Sequence, residues 1–391
     1  MEPWRKNVYI ISAAEFALVL GWSFVQPLLP LFVQSLGNFN TNQAAFWTGL
    51  VQGAGGLAMF FSAPFWGLLS DRTGRKPMML RAQFILAFTL IAMAFSPNIY
   101  FLIGVRLFQG LMGGTVAVAS ALVATATPRD KIPFSMGVFM VAVYLGTTLG
   151  PLIGGASASA FGFLATFCLG AIMYVLSGLA VLFYVKEDFV RPAPGQETSL
   201  KQMLRLAVSP KMLPLLVVIM AVNMGPQMVA PVIPLIIQGL SGTKSAAVDA
   251  GLAFALIGLA TTASSYVAAR LGKRISLTRL LFFCCLGTGL LYLPPVWAGT
   301  TVLLVIAVGF TGLFTGGLLI ASNSLISLSV PVTQLGIAYG IAQSANSLGA
   351  GLGPIIGGTL APVIGLRYVF AVAAGLFLAV GLAVSRRKTQ K

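Results

Sequence analysis

No histidine occurs in this sequence, and carboxylates are scarce, with eight Asp and Glu against 24 Lys and Arg. Without imidazole, paired intramembrane carboxylates or metal-ligand spacing, the usual groups of acid–base and metal catalysis are missing. The sequence is therefore not read as an enzyme, and it requires no cofactor. Three cysteines, Cys168, Cys284 and Cys285, all sit in apolar runs and supply no disulfide framework. Charge of either sign is rare: 8% of the 391 residues, against about 25% in an average soluble domain. What is present is 58% hydrophobic, with a mean hydropathy of +0.94, the composition of an integral membrane protein. Forty-four glycines and twenty-one prolines within such sequence suit close helix packing and locally broken helices.

The formal net charge of +16 would suit a nucleic-acid partner if the basic residues clustered on one surface, but they do not. Arg5 and Lys6, the residues around Asp71 with Arg81, Arg129 and Lys131, the stretch 186–211, the stretch 270–279 and the tail 386–391 all flank apolar runs on one alternating side. That is the positive-inside pattern, and it excludes a nucleic-acid reading. Only Lys244 and Arg367 fall in the opposite loops. An apolar run over 8–32 follows Arg5 and Lys6. It is too long for a signal-peptide core and has no small-residue cleavage site, so it reads as a first membrane span.

Crossing hydrocarbon takes about 20 apolar residues, and the sequence offers twelve such runs. They cover approximately 8–32, 46–69, 78–96, 99–124, 134–156, 163–184, 212–238, 250–270, 276–296, 300–328, 335–359 and 364–384. The expectation is an all-α protein of twelve transmembrane helices in the inner or plasma membrane, with both termini on the cytoplasmic side. Residues 186–211, the longest polar interval, divide the spans six and six. They read as a cytoplasmic linker with a surface helix between a bundle over 1–185 and another over 212–391, being too short to bury a core of their own.

The halves repeat. Gly146-Thr-Thr-Leu-Gly150-Pro151-Leu-Ile-Gly154-Gly155 matches Gly349-Ala-Gly-Leu-Gly353-Pro354-Ile-Ile-Gly357-Gly358, an offset of 349 − 146 = 203. Pro128 and Pro331, Gly137 and Gly340, and Gly113-Gly114 and Gly316-Gly317 share that offset. Pro27-Leu-Leu-Pro30-Leu-Phe-Val-Gln34 matches Pro231-Val-Ile-Pro234-Leu-Ile-Ile-Gln238, at 231 − 27 = 204. Two parallel six-span halves imply a pseudo-two-fold axis along the membrane normal, a cavity where the halves meet, and movement of solute by rocking.

Four sets of residues stand out. The first is the charged hinge Gly67-Leu-Leu-Ser-Asp71-Arg72-Thr-Gly74-Arg75-Lys76-Pro77 between two apolar runs. Its basic residues could serve only to fix topology, whereas a carboxylate at such a junction can bond a helix end in one rocking state and release it in the other. The corresponding turn of the second half reads Ala269-Arg270-Leu271-Gly272-Lys273-Arg274, at 269 − 71 = 198, so Ala269 stands opposite Asp71. The second set is Arg106, an intramembrane arginine whose repeat position, 106 + 203, is Gly309. An arginine that the architecture does not require is functional by default, with snorkelling as the alternative. Its candidate partners are helix carbonyls, Gln109 one turn on, or an acid across the bundle.

The third is Glu15, the one acid well inside a span, with Ser12, Trp22, Ser23 and Gln26 on its helix face. A carboxyl there can load and release a proton, with Arg106 as its companion in proton coupling; a structural ion pair and a counter-ion for cationic substrate are the competing readings. The fourth set lies along candidate cavity walls: Tyr144, Asn223, Gln227, Met228, Gln343 and Asn346, with Trp22, Gln26 and Gln109 from the first half. Flexible methionines, aromatics and few charges suit varied lipophilic solutes, although each polar member could equally be an interhelical hydrogen bond.

These residues carry a resemblance. The chain resembles a major facilitator superfamily transporter, and within it the twelve-span drug:proton antiporter branch. The 67–76 hinge is similar to the superfamily signature between the second and third spans. Leu102-Ile-Gly-Val-Arg106-Leu-Phe-Gln109-Gly110 is similar to the fourth-span motif, Gly146, Gly150, Pro151, Gly154 and Gly155 to the fifth-span antiporter motif, and Leu20-Gly21 with Pro27 and Pro30 to a first-span efflux motif. The resemblance implies export of lipophilic or cationic compounds against protons by a monomer among membrane lipids, with a facilitator or symporter for a sugar or metabolite as the alternative. It implies that Asp71 meets the eleventh span when the cytoplasmic side is closed, with Arg75 in a charge relay. The acid that the family often places near the end of the fourth span is absent here, where the chain reads Ala124-Thr125-Ala126-Thr127-Pro128.

Overall fold

The computed structural model describes residues 2–187, 189, 200–243, 245–331 and 334–386. Linker residues 188 and 190–199, Lys244 and the basic tail beyond Arg386 lie outside these, as does the side chain of Asp71. Among the described residues every regular element is helical. The first span is a pair, α1 (Pro3–Val25) and α2 (Leu29–Gly37), interrupted where Pro27 and Pro30 withdraw backbone donors. Next come α3 (Thr41–Thr73) and α4 (Arg75–Ala94). The fourth span is α5 (Ile99–Met112) plus α6 (Thr115–Thr125), broken at Gly113 and Gly114.

The expected fifth and sixth spans are two helices that meet at Gly162, non-helical at φ 80° and ψ 175°; together they are α7 (Ile132–Tyr184). Glycine alone reaches that backbone region cheaply, so the chain turns there in one residue. After the linker come α8 (Leu200–Ala207), α9 (Leu213–Val229) with α10 (Ile233–Ser241), and α11 (Ala246–Leu271). The ninth span is α12 (Leu277–Leu291), capped by the short α13 (Pro294–Trp297), and the tenth is α14 (Thr301–Phe310) with α15 (Gly312–Ser329). Last are α16 (Leu335–Ile364) and α17 (Tyr368–Ser385). Counting each broken pair once and dividing α7 at Gly162 gives the twelve spans, six in each bundle.

The repeated glycines explain the packing. Gly146, Gly150 and Gly154 place α7 on the α1 backbone, where an added Cβ would meet Phe16, Leu20, Ser23 and Phe24. Gly349, Gly353 and Gly357 place α16 on α9, against Met220, Met224 and Met228. Gly155 and Gly358 face the other bundle, on Ala247 of α11 and on Ala45 and Gly49 of α3. Small residues permit such approach where no hydrophobic driving force separates helix from lipid. The halves therefore join along two seams, α3 with α16 and α7 with α11.

The α3–α16 seam is one-ended. Gly49, Gly53 and Gly56 press on the α16 backbone or side chains between Ala350 and Gly358. Three turns further along the same face, Gly67 has nothing within 4 Å of where a Cβ would project, and Gly340 on α16 meets only Met203 of α8. The bundles are closed at the end remote from the hinge and parted at the hinge end. A core cluster spans both halves through Leu28, Leu31, Ala44 and Ala45 at the closed end, whereas the hinge-end clusters are separate, one around Phe139 and Leu122 and one around Ile219 and Ile341.

Candidate functional site

Glu15 is wholly buried, in the interior of the N-terminal bundle. Thr115, the first residue of α6, stands beside it, outside hydrogen-bond geometry, so neither carboxylate oxygen has a partner. The break at Gly113 and Gly114 leaves the first N–H groups of α6 without intrahelical acceptors at this level, a helix end that favours negative charge.

Arg106 of α5 is 3% exposed. Its Nη1 donates to Gln109 Oε1 at 3.0 Å, Gln109 Nε2 donates to Thr89 Oγ at 3.0 Å, and Thr89 donates to the Leu86 carbonyl at 2.8 Å. The guanidinium carbon lies 5.0 Å from the centre of the Trp22 ring, close enough for a cation–π attraction. Its Nε and Nη2 have no partner. Glu15 and Arg106 are thus both buried without forming an ion pair with each other. Tyr174, from the second arm of α7, is buried within electrostatic reach of both. Below it, Gln83 Nε2 donates to Ser177 Oγ at 2.8 Å, and Ser177 donates to the Ala14 carbonyl at 2.6 Å. Of these three ionisable groups, only the guanidinium has a side-chain hydrogen-bond partner among the described residues, the Gln109 amide.

The structure therefore sets Arg106 against Gln109 and Trp22, and places Glu15 and Arg106 each within electrostatic reach of Tyr174. Gln26, at the carboxyl end of α1, is half-buried. In the other half, Asn223 Nδ2 donates to Asn346 Oδ1 at 2.5 Å and to the Ile219 carbonyl at 3.1 Å, joining α9 to α16. The Gln227 stem packs at Gly353, Gln343 is half-buried with its carbonyl accepting from Ser347, and Tyr144 is half-buried on α7. Met228, expected along a cavity wall, is 2% exposed within the core. At the closed end, a cavity of about 770 Å³ is lined by uncharged groups including Gln34, Asn38, Phe39, Phe163, Gln238 and Thr243.

At the hinge, Gly74 alone separates α3 from α4, at φ 94° and ψ 160°. Arg72 and Gly67 are exposed, and Arg75 and Lys76 half-buried. Glu187, just past the end of α7, accepts from the Arg75 N–H at 2.8 Å and the Lys76 N–H at 2.8 Å. Lys76 Nζ donates to the Leu182 and Val185 carbonyls at 2.9 and 2.6 Å. The residues that sequence reasoning missed are Tyr174, Thr89, Thr115, Ser177 and Glu187. Only Glu187 left a signal, as one of eight acids and placed directly after the sixth span; a tyrosine in an apolar run resembles any core aromatic.

The family model described as Major Facilitator Superfamily matches residues 11–302 and 216–390. The multi-drug resistance efflux pump PmrA homolog of Lactococcus lactis is 31% identical over 381 residues, 97% of this chain and 94% of that protein. The multidrug resistance protein MdtG of Klebsiella pneumoniae is 31% identical, over 96% of this chain and 92% of that protein. Among solved structures, the nucleoside transporter NupG superimposes with a TM-score of 0.79 at 15% identity, over 100% of this chain and 100% of that one. The human organic anion transporter MFSD10 does so at 0.73 and 19%, over 98% and 100%.

Proposed function

This chain belongs to the Major Facilitator Superfamily, and from that premise we propose that it exports lipophilic, often cationic, compounds across the inner membrane in exchange for protons, its termini and hinge facing the cytoplasm. The relatives at about 30% identity named as multidrug efflux pumps support the substrate class. The observation that carries proton exchange is the buried, unpaired Glu15 carboxyl in reach of Tyr174, with the buried Arg106 nearby. A permanent ion pair would hold a carboxylate ionised through the cycle, whereas a carboxyl without a fixed partner is free to exchange its proton when the bundles rock. The bundles over 1–185 and 212–391 are the moving bodies, and the cytoplasmic side is the parted one in this structure. Asp71, one turn beyond the bare face at Gly67, is the latch that meets α16 when that side closes.

The decisive experiment is dye uptake into inverted vesicles under an imposed pH gradient. Glu15→Gln preserves shape and abolishes gradient dependence, with binding of the dye retained. Gradient-driven uptake by the Glu15→Gln protein sinks the assignment of Glu15. Uptake confined to one sugar or metabolite sinks the substrate class.

A further inference from the structure

The hinge lacks the acid that resemblance would place at the end of the fourth span, yet its geometry contains a carboxylate from elsewhere. Glu187 spends both oxygens on the first two N–H groups of α4, at 2.8 Å each, where a helix end favours an anion. Gly74 is what lets it approach: a Cβ there would stand 3.0 Å from Glu187 Oε2. Lys76 performs the converse, donating to the Leu182 and Val185 carbonyls at the C-terminal end of α7, where a cation is favoured. A third tie joins the same point to α1, with Asn7 Nδ2 donating to the Lys186 carbonyl at 2.9 Å and the Lys186 N–H returning to Asn7 Oδ1 at 3.3 Å. The acid and the base do not pair with each other; each charge is spent on the other helix's backbone.

We propose that Glu187 and Lys76 form a reciprocal clamp between the ends of the third and sixth spans. It sets the position of the hinge and fixes the point at which the chain leaves the N-terminal bundle for the linker. Glu187 is a positioning residue: it stands in for the absent fourth-span acid and holds the hinge in the shape from which its latch can close. This rests on transport by alternating access as proposed above.

The test has two arms, both on the full-length protein. In hydrogen exchange, Glu187→Gln speeds exchange of the Arg75 and Lys76 amides by roughly tenfold, the scale of losing a charge-assisted bond, while exchange in α9 and α16 is unchanged. In proteoliposomes with ethidium as probe, the same variant lowers the maximal rate roughly fivefold to tenfold on that scale and leaves KM unchanged. The double variant Glu187→Lys with Lys76→Glu stays defective, because it puts each charge on the wrong helix end. Rescue by that swap would mean a plain ion pair and overturns the clamp, as does wild-type exchange or wild-type turnover in Glu187→Gln. If Glu187→Gln does not fold, Glu187→Asp, which keeps the charge on a shorter stem, gives the intermediate exchange rate or overturns the proposal. Wild-type protein that moves no ethidium under a gradient overturns the proposed function instead, and the exchange arm then decides the clamp alone.

Discussion

In the N-terminal bundle, Gly146, Gly150 and Gly154 seat α7 on α1; in the C-terminal bundle, Gly349, Gly353 and Gly357 seat α16 on α9, position for position. The interiors that these frames enclose diverge. The first holds Glu15, Arg106 and Tyr174, and the second holds an amide pair, Asn223 with Asn346. Among the described residues, every buried side-chain polar atom lacking a partner belongs to the first bundle except the Thr288 hydroxyl. Unpaired polar groups in a membrane interior are expensive, so their gathering in one half is a difference that packing alone does not require. Packing is symmetric because both bundles must solve the same problem in lipid, and under the function proposed above the ionisable groups of the first bundle carry the proton.

The largest effects should come from attacking the shared frame. Gly154→Ala and Gly357→Ala each push a methyl onto backbone, at 2.5 Å from the Phe24 carbonyl in the first case and onto the Met228 carbonyl in the second. Both should lose stability by about 1–3 kcal/mol, read as a lower midpoint in thermal unfolding in detergent. A large loss in one and none in the other would break the symmetry of the frame.

A smaller effect tests the asymmetry. Asn223→Ala removes the interhelical bond to Asn346, and such bonds are worth about 0.6 kcal/mol and at most ~1.7 in membranes. Thermal unfolding should register that modest loss, and proton dependence should persist. Disappearance of gradient dependence in Asn223→Ala would move part of the proton chemistry into the second half.

The smallest stability effect is expected at the hinge end. Gly67→Ala projects into open space and should change stability by no more than about 0.5 kcal/mol, while slowing transport if that face closes on α16 during the cycle. Unaltered turnover would show that the seam never reaches the hinge.

Much of this architecture is legible in the sequence. Alternating basic loops and twelve apolar runs marked the spans, and offsets of 203 and 204 marked the duplication. Glu15 and Arg106 stood out because an ionised group in hydrocarbon is rare enough to need a reason. The glycine motifs were legible as close-packing sequences, though not as to which helix each glycine meets. That depends on the rotation of α7 and α16 about their axes, set by neighbours far away in the chain. Met228 shows the same dependence: a methionine interleaved with Asn223 and Gln227 fits a cavity wall or a core equally well by sequence, and in this structure it is buried where α16 packs on α9.

The turn at Gly162 and the hinge at Gly74 were recognisable as glycines at span boundaries. That each reverses the chain in a single residue follows from backbone angles that sequence does not print. Composition and periodicity determined the membrane environment, the two halves and the identity of the buried charges, because these follow from what each residue costs in lipid. Only the tertiary structure decided that Glu15 and Arg106 are buried within reach of Tyr174 without an ion pair between them, and that the Arg75 and Lys76 amides of the hinge meet the Glu187 carboxylate, distant in sequence. Contacts between residues 112 positions apart are fixed by how helices stack, not by how the chain reads.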